Sequence, residues 1–357
     1  MAYIELDKTL LQQNYEVLSQ HFKEEQKEWA IVSKILCGEE SYLKVLIDLG
    51  IEEICDARIS NLQKIKEIKP SIQTVYIKPP AKDHIEEIVH WADASFNTEL
   101  ETIKWISEEA VKQNKFHKII IMIELGDLRE GVMGEDLMDF YASVFDLPNI
   151  EITGIGANLN CVSGVYPSED KLIQLCLYKQ LIEAKFDRKI PWVTGGTSIV
   201  LPLLFKKQVP SGINHFRVGE SLYFGNDLWD NKEIPGMSNG VFQLKSQIIE
   251  ITEKPKVPVG YLGTNPSGET HEIDEENYGE FAVRALLDIG ILDVSDIDFL
   301  IPEDPNIELV AGSSDMLVLD INDAQKNYKI GDFVTFKMKY MGALRMMSSD
   351  YIEKRLI

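Results

Sequence analysis

The chain has 357 residues, which is enough for about two domains, or for one barrel with an appended domain. Its 58 acidic and 36 basic residues give a net charge of −22, so its surface repels phosphate backbones and anionic lipid headgroups. This charge excludes nucleic acid as an expected partner, whereas a small anionic or zwitterionic substrate could still bind inside a locally cationic pocket.

The cysteine content and the N-terminal sequence indicate a cellular compartment. The four cysteines include no CxxC pair, so they predict neither a disulfide framework nor a zinc site, and they fit a reducing cytoplasm. The first 15 residues show none of the features of a signal peptide, which are a basic region, a long apolar region and a cleavage site with small residues. No apolar run in the sequence is long enough to span a membrane. We therefore expect a cytoplasmic protein that does not enter the membrane.

Short β-prone runs recur between residues 29 and 225, and segments with helical periodicity separate most of them. There are eight such runs: WAIVSKI, EEICDAR, TVYIKP, ADASFNT, KIIIMIEL, EITGIGANL, PWVTGG and HFRVGESLYFG. Eight strand and helix units in about 200 residues favour a closed (β/α)8 TIM barrel over an open doubly wound sheet.

The sequence changes character after residue 226. Runs such as VFQLKSQIIEIT, IELVAGSSDMLVLDIND and GDFVTFKMKY are rich in β-formers and separated by Gly, Pro and Asn-Asp turns. Within this part only NYGEFAVRALLDIG has helix-like spacing. The predicted organisation is an α/β barrel over residues 1–226 followed by an all-β domain over residues 227–357.

Lys34 stands near the end of the first β run. In a parallel barrel the reacting groups gather at the carboxyl ends of the strands, and a lysine there can form a Schiff base with a carbonyl cofactor. A lysine that extends from the barrel rim into solvent is the alternative.

The seventh unit contains TGGTSIVLPLL, in which Gly195 and Gly196 precede Thr197 and Ser198 at the start of a predicted helix. A helix N-terminus with two hydroxyls is suited to binding phosphate, and late phosphate sites are common in (β/α)8 barrels. The alternative is an ordinary N-cap.

The eighth unit places Arg217 two residues before Gly219, whose backbone N–H could reach the same phosphate. Because arginine does not lose its proton, a pyridine nitrogen facing Arg217 would have to act as the acceptor. A salt bridge at the barrel rim is the alternative role for Arg217.

The fifth unit ends in a charged loop, GDLREG. Arg129 in this loop has the donor geometry to bind a substrate carboxylate, and its acidic neighbours could attract a distal amino group. The alternative is a solvated loop.

In the β-rich part, Tyr261 lies between Gly260 and Gly263, where a core tyrosine would be unusual. A phenol carried on a turn can project into another pocket and act there as an acid or base. An exposed loop tyrosine is the alternative.

Taken in order, SKILCG, GDLREG, TGGTS, FRVGESLYFG and VPVGY resemble the alanine racemase family of fold type III pyridoxal-phosphate enzymes. Runs such as DARISNL, GANLNC and SSDMLVLD resemble the ornithine racemase branch, and the resemblance covers nearly the whole chain.

The resemblance implies pyridoxal 5′-phosphate (PLP) as cofactor, covalently bound by Lys34, which also acts as one of two bases at the substrate Cα. Tyr261 would be the second base and would come from the partner subunit of a head-to-tail homodimer. Arg217 would face the pyridine nitrogen and Arg129 the substrate carboxylate. The other implied positions are Thr197, Ser198, Gly219 and Tyr351 at the phosphate, Asn158 beside the ring, and Asp315 in the wall contributed by the partner.

The chain also departs from the alanine racemase pattern. Cys37 precedes Gly38 where the family has a phosphate-binding tyrosine, and Asn158 stands where a histidine packs on the ring. Met122 replaces the carbamylated lysine that supports the substrate-binding arginine, so Arg129 requires another partner.

The expected function is racemisation of ornithine or another basic amino acid, with alanine as the alternative substrate. The retained Tyr261 favours alanine, whereas the GDLREG motif favours a basic substrate. A PLP-binding homeostasis protein and a PLP-dependent decarboxylase are weaker alternatives. No His and Cys cluster in the sequence suggests a metal-dependent dehydratase.

Overall fold

The computed structural model describes residues 2–264, 268, 270 and 273–357. The chain forms two compact units. One comprises residues 7–241, and the other combines the first strand with the described residues of 242–355.

The boundary between the units differs from the predicted one, which lay after residue 226. Residues 227–241 stay with the barrel because their backbone and side chains bond to it. The Asn14 side chain donates to the Ser238 carbonyl at 2.9 Å and accepts from the Ser238 N–H at 2.7 Å. In addition, the Trp229 indole donates to the Ile199 carbonyl at 2.7 Å.

The N-terminal strand β1 (Tyr3–Leu6) pairs antiparallel with a strand of the second unit, from Tyr3 opposite Lys245 to Leu6 opposite Phe242. Asp7 then caps helix α1 (Lys8–Glu24), because its carboxylate accepts from the backbone N–H groups of Thr9 and Leu10.

The eight predicted β runs form a closed barrel of parallel strands, which confirms the predicted (β/α)8 fold. The strands are β2 (Glu28–Val32), β3 (Glu53–Asp56), β4 (Gln73–Tyr76), β5 (Ala94–Asn97), β6 (His117–Met122), β7 (Ile150–Gly156), β8 (Trp192–Thr197) and β9 (His215–Val218). The barrel closes where β2 pairs with β9, from Glu28 opposite His215 to Ile31 opposite Val218.

Helices follow these strands, as the periodicity predicted. They are α2 (Glu40–Asp48), α3 (Ile59–Ile68), α4 (Ile85–Trp91), α5 (Leu100–Lys112), α6 (Leu137–Phe145), α7 (Glu169–Phe186), α8 (Leu201–Phe205) and α9 (Glu220–Phe224). No helix in the part of the chain that the structure describes is both long and apolar enough to cross a membrane.

Alternate residues of the barrel strands fill its interior, as the two-residue period of a strand requires. A buried cluster contains Ala30, Val32, Cys55, Val75, Ala94, Phe96, Ile120 and Met122. At the amino ends of the strands, His215 bonds through Nε2 to the Glu53 carboxylate at 3.0 Å and stacks on Trp192. The amino ends of the strands are therefore closed by packed side chains, and the carboxyl ends carry the candidate site.

The second unit is an antiparallel sheet in the order β12-β15-β10-β11-β14-β13, with β1 paired to β10 and β16 paired to β1. Its elements are β10 (Phe242–Pro255), β11 (Phe281–Leu287), α10 (Ile291–Val294), β12 (Leu300–Pro302), β13 (Glu308–Gly312), β14 (Leu317–Asp320), β15 (Phe333–Met338), α11 (Tyr340–Met347) and β16 (Glu353–Leu356).

The helix-like spacing of NYGEFAVRALLDIG was misleading. Its residues Phe281–Leu287 form β11, which pairs with β10 on one side and β14 on the other. Ala282, Ala285 and Leu287 are buried in this strand, so pairing on both edges and burial outweigh local helix propensity.

Candidate active site

The candidate residues of the barrel follow four strands that are consecutive around it. Asn158 follows β7, Ser198 follows β8, Gly219 follows β9 and Lys34 follows β2. All four strands are parallel, so their carboxyl ends open at the same face of the barrel. The topology thus brings to one face the residues that the sequence predicted there.

Lys34 starts a 3-10 turn that runs to Leu36, two residues beyond the end of β2. The preceding residue is fixed by the next strand, because the Ser33 N–H donates to the Cys55 carbonyl at 2.9 Å and its hydroxyl to Asp56 at 2.6 Å. The Lys34 side chain is exposed. Its backbone is therefore anchored while its amine can reach the barrel mouth.

Asp56 was not recognised from the sequence, although it ends the second strand of the barrel. It is fully buried and also accepts from Asn61 Nδ2 at 3.1 Å and from the Arg58 N–H at 2.9 Å. Burial raises the pKa of the Asp56 carboxyl, against the opposing effect of these hydrogen bonds. Its contact with Ser33 makes it a support for the lysine turn.

Glu220 lies close enough to Lys34 for their charges to interact, because β9 and β2 are neighbours. It is the first residue of α9 and follows Gly219 directly. Burial raises the pKa of the Glu220 carboxyl, and the positive charge of Lys34 opposes that rise. No sequence motif pointed to Glu220, since its proximity to Lys34 arises only when the barrel closes.

Three groups at the ends of β8 and β9 form a small polar cradle. The Ser198 hydroxyl oxygen lies 3.3 Å from both the Gly219 N–H and the Ser221 N–H, which donate to it. The Ser221 hydroxyl is buried and has no hydrogen-bond partner among the described residues. Backbone N–H groups and hydroxyls converging in this way suit a phosphate.

The two glycines before this cradle have a packing role. A Cβ on Gly196 would overlap the ring of Phe216, and one on Gly195 would lie 2.9 Å from Ile213 Cδ1. Barrel packing therefore requires both glycines, where the sequence suggested only close approach to a ligand. Thr197 follows them with an extended backbone and a half-buried side chain.

Arg217 lies inside the barrel with 4% of its surface exposed. Its Nε donates to Thr194 Oγ1 at 2.9 Å, Nη1 to Asn158 Oδ1 at 3.0 Å, and Nη2 to the Ala157 carbonyl at 2.9 Å and to the Thr194 carbonyl at 3.4 Å. A guanidinium has five N–H groups, so within the described residues an N–H on Nη1 is left for a further acceptor. Burial lowers the pKa of Arg217 from its very high ordinary value.

The charged loop after β6 is held by its own carboxylates. Asp127 is buried and accepts from the backbone N–H groups of residues 161–163. Glu124 accepts from those of Gly126 and Leu128. Arg129 forms a two-pronged ion pair with Glu130. These acidic groups therefore have partners in the chain itself, whereas the sequence suggested that they could attract a distal amino group.

The other predicted site residues belong to the β-rich unit, and each is exposed within it. Tyr261 follows Gly260, whose φ of +130° favours glycine. The Asp315 carboxylate accepts from the Ser314 hydroxyl at 2.7 Å, and the Tyr351 N–H donates to the Ser349 hydroxyl at 3.2 Å. Among the described residues, no group of three or more His, Cys, Asp or Glu side chains could hold a metal ion.

Comparison with known proteins places this architecture in a family. Residues 6–227 match the alanine racemase N-terminal domain. The chain is 39% identical to the ornithine racemase of Acetoanaerobium sticklandii over 329 residues, which are 92% of each chain. It is 31% identical to the lysine racemase of Thermotoga maritima over 90% of this chain and 89% of that protein.

Solved structures share the fold at low sequence identity. An alanine racemase of Clostridium difficile superposes with a TM-score of 0.73 at 16% identity, over 100% of this chain and 95% of that one. An alanine racemase of Bartonella henselae with covalently bound pyridoxal phosphate superposes with a TM-score of 0.75 at 17% identity, over 100% and 99%.

The barrel and the β-rich unit thus define a protein of the alanine racemase fold. The chain belongs to the alanine racemase family, as the sequence predicted, and it is a racemase.

Proposed function

We propose that this protein is a PLP-dependent racemase that interconverts the L and D enantiomers of a basic amino acid, with ornithine ahead of lysine and alanine. The observation that carries the proposal is the 39% identity to an ornithine racemase over 92% of both chains. The 31% identity to a lysine racemase supports a basic substrate but ranks lysine second.

The barrel residues fit the proposed cofactor. Lys34 would bind it covalently, and the cradle of Ser198, Gly219 and Ser221 would hold its phosphate together with Thr197. Tyr351 would be a further phosphate ligand and Asn158 would lie beside the ring. When bound, PLP supplies an electron-accepting ring that weakens the Cα–H bond of an attached amino acid.

Arg217 would donate to the ring nitrogen through the N–H left on Nη1. Because a guanidinium keeps its proton, Arg217 cannot pass one to the ring and leaves the nitrogen as an acceptor. By keeping the ring nitrogen unprotonated, Arg217 would favour return of the proton to the substrate Cα over transamination.

Inversion requires one base on each face of the Cα. Lys34 would take or return the proton on one face, and Tyr261 would do so on the other. Arg129 would bind the substrate carboxylate through the N–H groups that Glu130 does not use.

A head-to-tail homodimer in the cytoplasm is the proposed setting. Tyr261 and Asp315 are exposed in their own chain, so a second copy could receive both at its barrel mouth. None of the four cysteines forms a disulfide bond in the part of the chain that the structure describes, which suits a reducing compartment.

The test is to incubate the cofactor-loaded protein in deuterated water with L-ornithine, L-lysine or L-alanine. Loss of the α-proton is followed by NMR, and the D-enantiomer is measured by chiral chromatography. We expect exchange and D-ornithine formation at the highest kcat/KM. Exchange with lysine or alanine alone would reassign the substrate, and no exchange with any of the three would overturn the racemase proposal.

A matched pair of variants checks the role of Lys34. Lys34→Ala should abolish both covalent cofactor binding and exchange. Lys104→Ala removes a lysine that pairs with Glu101 on the surface of α5 and should change neither. Covalent binding that survives in Lys34→Ala would remove Lys34 from its proposed role.

A further inference from the structure

One carboxylate connects the two arginines of the candidate site. Glu130 accepts from Arg129 through both of its oxygens, with 2.6 Å from Nη2 to Oε1. The same Oε1 also accepts from Asn158 Nδ2, and Asn158 Oδ1 accepts from Arg217 Nη1 at 3.0 Å. The contacts form a continuous chain from Arg129 through Glu130 and Asn158 to Arg217.

The chain of contacts is enclosed over most of its length. Glu130 has 11% of its side chain exposed, and Asn158 and Arg217 are buried. Only Arg129 is open to solvent, with 38% of its side chain exposed. Hydrogen bonds to a charged group in such a place are stronger than those of a surface ion pair, because water competes with them less.

The backbone fixes where Glu130 lies. The next residue, Gly131, has a φ of +149°, and a Cβ there would overlap the backbone of Glu124. On either side of the loop the Glu124 N–H donates to the Val132 carbonyl at 3.1 Å, and the Val132 N–H to the Met122 carbonyl at 2.8 Å. The loop is thus closed at its base, and Glu130 stands at that base.

The Asn158 amide has its orientation set by its two neighbours. Its oxygen faces a guanidinium that can only donate, and its nitrogen faces a carboxylate that accepts. If the amide were turned over, its NH2 group would face the donating guanidinium and its oxygen would face the carboxylate oxygen, and neither contact would be a hydrogen bond. Glu130 therefore orients Asn158, which in turn fixes one N–H of Arg217.

The charges along this chain of contacts suit an anionic ligand. The Glu130 carboxylate contacts the Arg129 guanidinium directly, and Arg217 is connected to it only through Asn158, so these contacts contain two positive charges and one negative charge. The hydrogen bond to Glu130 raises the pKa of Arg129, and the charge of Glu130 partly offsets the lowering of the Arg217 pKa by burial.

We propose that Glu130 is a positioning residue that holds Arg129 for the substrate carboxylate and, through Asn158, holds Arg217 for the cofactor ring. The inference rests on the proposed function, because it assigns a partner to two arginines whose roles belong to that proposal. It supplies the partner that Arg129 requires where Met122 replaces a carbamylated lysine.

The experiment compares Glu130→Gln with Glu135→Gln, the same chemical change at an exposed carboxylate. A glutamine amide presents one acceptor to two donor neighbours, so Glu130→Gln should lower kcat/KM roughly ten- to hundredfold. It should also weaken binding of acetate, the simplest carboxylate probe, as measured by NMR titration of the cofactor-loaded protein. Glu135→Gln should match the wild type in both measurements.

A double variant tests transmission through Asn158. If Glu130 acts on Arg217 through this amide, Glu130→Gln combined with Asn158→Leu should lose little more activity than the worse single variant. Fully multiplicative losses would overturn the connection to Arg217. Equal acetate affinity in Glu130→Gln and Glu135→Gln would overturn the connection to Arg129.

A second variant and the behaviour of the wild type distinguish the remaining outcomes of this test. If Glu130→Gln does not fold, Glu130→Asp keeps the charge but is too short to contact Arg129 and Asn158 together, and it should show the same weaker acetate binding. A wild-type protein that binds cofactor and acetate but exchanges no α-proton would contradict the proposed function alone. An active wild type with an unaffected Glu130→Gln would contradict the positioning role alone.

Discussion

Arg217 and Asn158 meet inside the barrel, where Nη1 of the arginine donates to Oδ1 of the asparagine at 3.0 Å and both side chains are buried. Arg217 belongs to β9 and Asn158 follows the end of β7, with β8 between these two strands. Their contact joins three neighbouring strands through side chains, since Arg217 also bonds to Thr194 of β8.

Arg217→Lys should therefore cost both stability and activity. A lysine keeps the charge but cannot donate in three directions from a planar group, so the Thr194 hydroxyl and the Ala157 carbonyl would lose their donors. We expect the free energy of unfolding, measured in urea, to fall by about 2 kcal/mol. Arg188→Lys, at an exposed position, should leave it unchanged. Equal stability of the two variants would contradict this role.

Ser198→Ala tests the phosphate cradle. The change removes the hydroxyl that Gly219 and Ser221 contact, so phosphate loses one partner and the two N–H groups lose an acceptor. We expect PLP to bind roughly tenfold more weakly to the apoprotein, measured by fluorescence titration. Ser143→Ala removes an exposed hydroxyl that bonds to its own helix and serves as the control. Equal PLP affinity in both variants would show that the phosphate binds elsewhere.

Tyr261→Phe separates proton exchange from inversion. If Tyr261 serves one face of the Cα and Lys34 the other, the variant should still exchange the α-proton of one enantiomer on the Lys34 face. Formation of the opposite enantiomer should slow by roughly a hundredfold or more, which chiral analysis in deuterated water measures. Tyr278→Phe is the control at another exposed tyrosine of the same unit. Unchanged inversion in Tyr261→Phe would show that another group is the second base.

His117 should make the protein less stable in acid. Its imidazole is buried 2.8 Å from the Ser95 hydroxyl, and burial lowers its pKa from 6.5 to about 4. Between these two values the unfolded chain binds more protons than the folded one, so stability is fully present above about pH 6.5 and is lost as the pH falls towards 4. The loss is on the order of 3 kcal/mol.

His117→Gln should flatten that part of the stability profile, measured by urea unfolding between pH 4 and 7. His90→Gln changes an exposed imidazole and should leave the profile as in the wild type. A His117→Gln profile as steep as that of the wild type would assign the acid sensitivity to other groups.

The sequence predicted the parts of the site that depend on strand ends. Lys34, Ser198, Arg217 and Gly219 each stand within a few residues of a strand terminus, and the eight strand runs could be recognised locally. In a closed parallel barrel such positions must face the same opening, so their order along the chain was enough to group them.

The sequence did not predict the interactions of two carboxylates in the candidate site. Glu130 and Glu220 have no local pattern that separates them from solvated carboxylates. Asn158, which donates to Glu130, and Lys34, whose charge acts on Glu220, lie far from them in sequence and come near only when the barrel closes. The strand β11 was missed for a related reason, since its two neighbours in the sheet supply the burial that its own composition lacks.

The position of β1 has a consequence for the order in which the protein folds. The last residue of β1, Leu6, pairs with the first residue of β10, Phe242, so the barrel is an insertion between two adjacent strands of the β sheet. During synthesis the barrel sequence emerges complete before β10 exists, and β1 must wait for its partner. The barrel can therefore form while the chain is still being made, whereas the sheet can be completed only after release of its C-terminal strands.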